Sequence, residues 1–147
     1  MPFLRRLSIG VPIALVAAFL LLAAVACGGG SKKGEANEGG MTTIAGLEAS
    51  DHGTKDVSGE SEVDVELDDN YFDPTVLKGD PGQKVKLELE NEGKTQHNLT
   101  IAELSLDQDV APGKKAEVEV TFPQSGTLSF FCKYHKSLGM AGALEAS

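Results

Sequence analysis

The chain has 147 residues, two cysteines, and 13 Lys+Arg against 22 Asp+Glu, which leaves room for one domain and none for a second catalytic one. Taking away residues 1–26 removes only Arg5 and Arg6 and leaves 11 basic against 22 acidic residues, a balance that opposes binding to nucleic acid and to anionic lipid headgroups. The two cysteines, Cys27 and Cys132, lie in such different surroundings that a disulfide framework is not expected.

Residues 1–26 open with Arg5 and Arg6, run uncharged and apolar from Ile9 to Ala26, and end Ala24-Val25-Ala26 before Cys27. This is an export signal with a small-residue cleavage site. It resembles a bacterial lipoprotein signal, which implies lipidation of Cys27, although Ala24 stands where such signals usually carry Leu. Ordinary cleavage and an uncleaved span remain as alternatives, because the run is close to the length a bilayer needs. Basic residues on the near side favour an orientation that puts the rest of the chain on the extracytoplasmic face of the cytoplasmic membrane, in the cell envelope. The Arg5-Arg6 pair fits a twin-arginine signal poorly.

Residues 27–60 turn to Gly, Ser, Glu, Lys and Asp with few apolar residues and no period, so a flexible tether is expected there. As a Gly-rich coil of roughly 33 residues its reach is about 30 Å. His52 and Met41 fall inside it and are expected to be solvated and incidental.

From Ser61 to Ser147 the chain reads as a single folded domain. Val63, Val65 and Leu67 alternate with Glu62, Asp64 and Glu66, and the same rhythm returns at Val85-Leu87-Leu89, at Ala116-Val118-Val120-Phe122 and at Leu128-Phe130-Cys132. Period two predicts half-buried strands. Weaker strands are expected around Val76-Leu77, from Leu99 to Ala102 and from Ala141 to Leu144. Turn signals stand at Gly79-Asp80-Pro81-Gly82, Asn91-Glu92-Gly93, Pro112-Gly113 and Ser125-Gly126. Regular strand and turn spacing with no long amphipathic helix predicts an all-β antiparallel sandwich or barrel.

Chemistry concentrates in Cys132-Lys133-Tyr134-His135-Lys136-Ser137-Leu138-Gly139-Met140, a Cys-x2-His-x4-Met run. A thiolate, an imidazole and a thioether are soft to borderline donors. Two His and one Cys with a long axial Met form the donor set of blue-copper electron-transfer centres. His97 supplies the missing imidazole, since it precedes the apolar run Leu99-Thr100-Ile101 and is the one other histidine in the expected folded part.

At these residues the sequence resembles the cupredoxin family, especially its plastocyanin and pseudoazurin branches, whose ligand loop has the same spacing. Phe72-Asp73-Pro74, then Gly82, Val85 and Asn91, and then His97-Asn98 follow the family's order, and the resemblance covers about Glu62 to Ala146. It implies a cupredoxin-like Greek-key fold and one type 1 copper ion cycling between Cu(I) and Cu(II) on His97, Cys132, His135 and Met140. Asn98 would tie the two ligand loops together behind the metal. Tyr134 replaces the Pro that many relatives have before the second His.

Other readings of the same residues are weaker. Zinc sites prefer several Cys and His and do not use Met. A dinuclear copper centre needs a second loop Cys, and a Cys132–His135 nucleophile has no orienting partner. The expected function is therefore a tethered, monomeric single-electron carrier, not an enzyme, exchanging electrons with envelope redox proteins of the cytochrome, oxidase or reductase type. The alternative is a module that stores copper or delivers it to an envelope oxidase. Lys94, Lys133 and Lys136 are expected to form a basic rim around the metal.

Overall fold

The computed structural model describes residues 39–147. Cys27 and the expected export signal lie outside the described residues, as does the first part of the expected tether. Among the described residues no helix is long and apolar enough to cross a membrane. In chain order the strands are β1 (Gly40–Ile44), β2 (Leu47–Asp51), β3 (Thr54–Asp56), β4 (Glu62–Asp68), β5 (Tyr71–Asp73) and β6 (Val76–Gly79). Then follow β7 (Lys84–Asn91), β8 (His97–Ile101), β9 (Leu106–Val110), β10 (Lys115–Thr121), β11 (Thr127–Phe131) and β12 (Ala141–Ala146). Short 3-10 turns occur at Ala102–Leu104 and Lys136–Leu138.

The strands form a four-stranded sheet in the order β10-β7-β4-β5, a six-stranded sheet in the order β3-β6-β12-β11-β8-β9, and the separate hairpin β1-β2. Every segment with unbroken alternation is a strand. Val63, Val65 and Leu67 of β4 and Val85, Leu87 and Leu89 of β7 are buried in one cluster with Leu77, Leu99, Ile101, Phe130 and Leu144 from the larger sheet. Phe72 meets Phe130 edge-on, with centroids 5.0 Å apart and planes at 89°, a geometry that adds about 1 kcal/mol to the apolar area it buries.

Two expectations need correction. The sheets are mixed rather than antiparallel: β4 runs parallel to β7, and β6 runs parallel to both β12 and β3. No sheet is closed into a barrel. Alternation reports which face of a strand is buried, and it is the same whichever way the neighbour runs.

The flexible tether expected over residues 27–60 is not found in the described part of that stretch. Residues from Gly40 onward form β1, β2 and β3, and β3 extends the larger sheet beside β6. Ala49 and Val57 are fully buried, and the Val57 amide donates to Lys78 O at 2.7 Å. The β1-β2 hairpin turns through Ala45 and Gly46, both in the left-handed region (φ 49° and 79°), the conformation that a two-residue hairpin loop requires. His52 is not a solvated side chain. Its ring stacks on Tyr71 at 3.6 Å and 8°, and its amide donates to Thr75 Oγ1 at 2.7 Å.

The outer face of the smaller sheet is crowded with carboxylates. Glu117 of β10 stands opposite Glu88 of β7, which stands opposite Asp64 of β4. In the next row Lys86 relieves the repulsion, with its Nζ 2.7 Å from Glu62 and 3.4 Å from Glu117.

Candidate metal centre

The larger sheet brings the donor residues together. His97 is the first residue of β8, Cys132 follows the end of β11, and Met140 immediately precedes β12. Thr100 of β8 pairs with Phe131 of β11, which sets the two segments that carry the candidate donors side by side. Between Cys132 and Met140 the loop folds on its own backbone. Cys132 N donates to Met140 O at 3.0 Å, His135 N to Cys132 O at 3.2 Å, and Met140 N to His135 O at 3.3 Å. These bonds keep the loop short and fix where its side chains leave it.

His97, Cys132 and His135 each present a donor atom within 4.8 Å of the other two. Cys132 Sγ lies 3.5 Å from His135 Nδ1, and the two imidazole rings are 4.9 Å apart at 62°. Ligand atoms about 2.0–2.3 Å from a common ion stand roughly 3.5 Å apart, so the spacing fits a shared metal. His97, Cys132 and Met140 are fully buried, while His135 is partly exposed.

The donor set passes an independent test. Both ring nitrogens of His97 are buried without a hydrogen-bond partner, and a buried unsatisfied nitrogen costs about 1–3 kcal/mol unless something else satisfies it. Nε2 is 3.7 Å from Asp69 Oδ1, too far for a hydrogen bond. Gly93 makes room for that edge of the ring, because a Cβ there would come within 2.6 Å of Nε2. Burial, reinforced by the neighbouring His135, pushes the His97 pKa below its ordinary value against the opposing pull of Asp69. The ring is thereby kept neutral, the form that offers a lone pair to a metal.

A family profile described as a cupredoxin-like domain matches residues 40–144. The chain belongs to the cupredoxin-like family. No curated protein matches the sequence. Among solved structures, this cupredoxin domain is similar to a dithionite-reduced auracyanin from the photosynthetic bacterium Roseiflexus castenholzii. That likeness has 16% identity and a TM-score of 0.50 over 60% of this chain and 98% of that one. It is also similar to auracyanin B, at 19% identity and TM-score 0.51 over 60% and 89% of the two chains. The metal-binding domain of a Cu(I)-exporting P-type ATPase from Streptococcus pneumoniae D39 matches at 10% identity and TM-score 0.53, over 65% and 97%. At these identities the likeness is one of fold.

Behind the candidate donors of this cupredoxin domain, Asn98 is fully buried. Its Oδ1 accepts from the amide of Lys133 at 3.3 Å, and its Nδ2 donates to Asp107 Oδ1 at 2.7 Å and Asp109 Oδ1 at 3.0 Å. Tyr134, the residue just before His135, donates its phenol O–H to Asp109 Oδ2 at 3.0 Å and accepts from Gln96 Nε2 at 3.3 Å. Asp107 and Asp109 project from β9, a strand that shows no clear apolar alternation in the sequence, and this is why their part in the network was not anticipated.

Of the three lysines expected to form a basic rim, Lys94 and Lys136 are exposed, whereas Lys133 is paired within the molecule. Lys133 Nζ is 2.7 Å from Asp107 and 2.9 Å from Asp109, which hold its ammonium well above the usual lysine range. Lys136 Nζ lies over the Phe131 ring, 4.2 Å from its centroid. Lys133 therefore directs its charge to two carboxylates of its own chain at the surface.

Proposed function

We propose that the protein is a membrane-tethered single-electron carrier that holds one type 1 copper ion on His97, Cys132, His135 and Met140. The observation that carries this reading is the fully buried His97, with two unpartnered ring nitrogens, standing beside Cys132 Sγ and His135 Nδ1. A donor set of two His, one Cys and a thioether suits both oxidation states of copper and few other metals. The Cys-x2-His-x4-Met spacing further supports a ligand loop of the plastocyanin and pseudoazurin type.

Copper bound there supplies a one-electron couple. The chain's own part is to keep the donors fixed. Cys132 and His97 start from rigid strands, and Asn98 joins β8 to the Cys132 loop through Lys133. Fixed donors keep reorganisation small when charge changes. His135 is the donor nearest solvent, and it is flanked by the exposed Tyr134 and Leu138, so electrons are expected to enter and leave through its edge.

The export signal and lipidation of Cys27 would hold the domain at the extracytoplasmic face of the membrane, where envelope redox proteins are the partners. Copper storage or delivery is the second reading, favoured by the likeness to the Cu(I)-exporter domain.

Copper titration of the full chain tests the proposal. A carrier develops an intense visible band at one copper per chain and cycles through reduction and reoxidation with its metal retained. A delivery module surrenders copper to a modest chelator within one cycle.

A further inference from the structure

The β1-β2 hairpin lies outside both main sheets, yet it grips the ligand loop. Its two-residue turn makes Ile44 and Leu47 a hydrogen-bonded pair, and such pairs alternate along an antiparallel ladder. Met41 and Ser50, which stand opposite each other, fall at a non-bonded position. The Ser50 amide consequently points away from β1, and it donates to Gly139 O at 2.8 Å. Ser50 O accepts from Thr75 Oγ1 at 3.1 Å, so both backbone groups of this residue serve the main domain rather than the hairpin.

Met41 closes over the same spot. A Cβ on Gly139 would lie 2.7 Å from Met41 Cε and 3.2 Å from its Sδ. Gly139 has φ +89°, where a side chain would be strained as well as crowded. Its neighbour Leu138 is exposed and gives the loop no inward anchor of its own. Gly139 directly precedes Met140, whose carbonyl accepts from Cys132 N at 3.0 Å.

We propose that the hairpin is a positioning element for the metal centre. The Ser50 amide and the Met41 side chain clamp Gly139 from outside and so determine where Met140 presents its thioether. The effect on copper rests on the ligand assignment above, whereas the clamp itself does not depend on metal.

The test uses the full chain with two variants. Ser50→Pro removes the amide donor but no β1-β2 ladder bond, because that amide makes none, and Met41→Ala removes the cover alone. In metal-free protein, hydrogen exchange at the Cys132 and Met140 amides should accelerate about tenfold in Ser50→Pro and less in Met41→Ala, with the β7 and β10 amides unchanged. Unchanged exchange at Cys132 and Met140 in both variants overturns the clamp. With copper, both variants should keep the Cys132-dependent visible band while the reduction potential rises, because a loosened thioether stabilises Cu(II) less. Faster exchange with an unmoved potential overturns the claim that the clamp reaches Met140. If the wild type shows no such band with copper, the copper reading fails while the exchange data still decide the clamp.

Discussion

Lys133 Nζ stands 2.7 Å from Asp107 Oδ1, an ion pair that joins the residue after the candidate thiolate ligand to strand β9, 26 positions earlier in the chain. Asp109 shares the same ammonium at 2.9 Å. Asn98 lies beneath them, donating to both carboxylates. The Cys132–Met140 loop is thus tied to the larger sheet from outside by charge and from inside by an amide.

The two ties should respond differently to substitution. Lys133→Ala leaves Asp107 and Asp109 facing each other without a cation, so it should lower the melting temperature at low ionic strength. Salt should close most of that gap, because the pair is exposed and screened. Asn98→Ala removes the hydrogen bonds of a fully buried amide and should cost about 1–3 kcal/mol at any salt concentration. Denaturation of the three proteins at two salt concentrations checks both statements.

The thiolate governs both affinity and colour in the proposed centre. Cys132→Ser should abolish the intense visible band of the copper-loaded chain, whereas His52→Ala should leave it unchanged. The second variant still loses the stack on Tyr71, so its melting temperature should fall while its spectrum stays. A spectrum sensitive to His52 and indifferent to Cys132 would sink the assignment.

Met140 makes a separate prediction. The amide oxygen of Gln is a harder donor that favours Cu(II), so Met140→Gln should lower the reduction potential. Met140→Leu removes the donor and should raise it. Direct electrochemistry should therefore give the order Gln below Met below Leu, and any other order removes Met140 from the ligand set while leaving His97, Cys132 and His135 in place.

Tyr71 predicts a pH dependence with two limbs. Hydrogen bonds from the Asp69 amide and from the Tyr71 phenol, at 2.6 and 2.8 Å, hold the Asp68 carboxyl below its ordinary range. That contribution to stability is present at neutral pH and is lost as pH falls through the lowered folded value. Burial and Asp68 push the Tyr71 phenol up to about 12, so its contribution is present below the ordinary tyrosine value and is lost as pH rises towards 12. Tyr71→Phe removes the phenol limb entirely and weakens the acid limb, which chemical denaturation across the pH range would show.

Attachment to the membrane should depend on Cys27 if that residue carries two acyl chains, since stable anchoring needs more than one lipid signal. Cys27→Ala should shift the protein from the membrane fraction to the soluble one. A variant that still sediments entirely with membranes would mean that an apolar N-terminal segment anchors it instead.

How much was legible in the sequence depended on how far each feature depends on near neighbours. β4, β7, β10 and β11 show in the alternation of their own residues, because each buries one face against the other sheet. Cys132, His135 and Met140 sit within nine residues, and their donor chemistry survives without any knowledge of the fold. β1, β2 and β3 were hidden by a composition of Gly, Ser, Thr and acidic residues with little apolar content. The pair Ala45-Gly46 between Ile44 and Leu47 was the one local sign of a hairpin there. β9 reads Leu-Asp-Gln-Asp-Val and buries only Val110 fully, so its strand pattern is faint. The pairing of Lys133 with Asp107 and Asp109 follows from strand register, which no local pattern encodes.

The row formed by Glu117, Glu88 and Asp64 bears on how separate copies meet. β10 is the last strand on its side of the smaller sheet, and its unpaired backbone edge is a template onto which another chain could add a strand. A second copy arriving along that edge would bring its own Glu117 and Glu119 against the first. Wherever copies of the chain are crowded together, that repulsion works against neighbouring edges zipping into fibrils and favours separate domains.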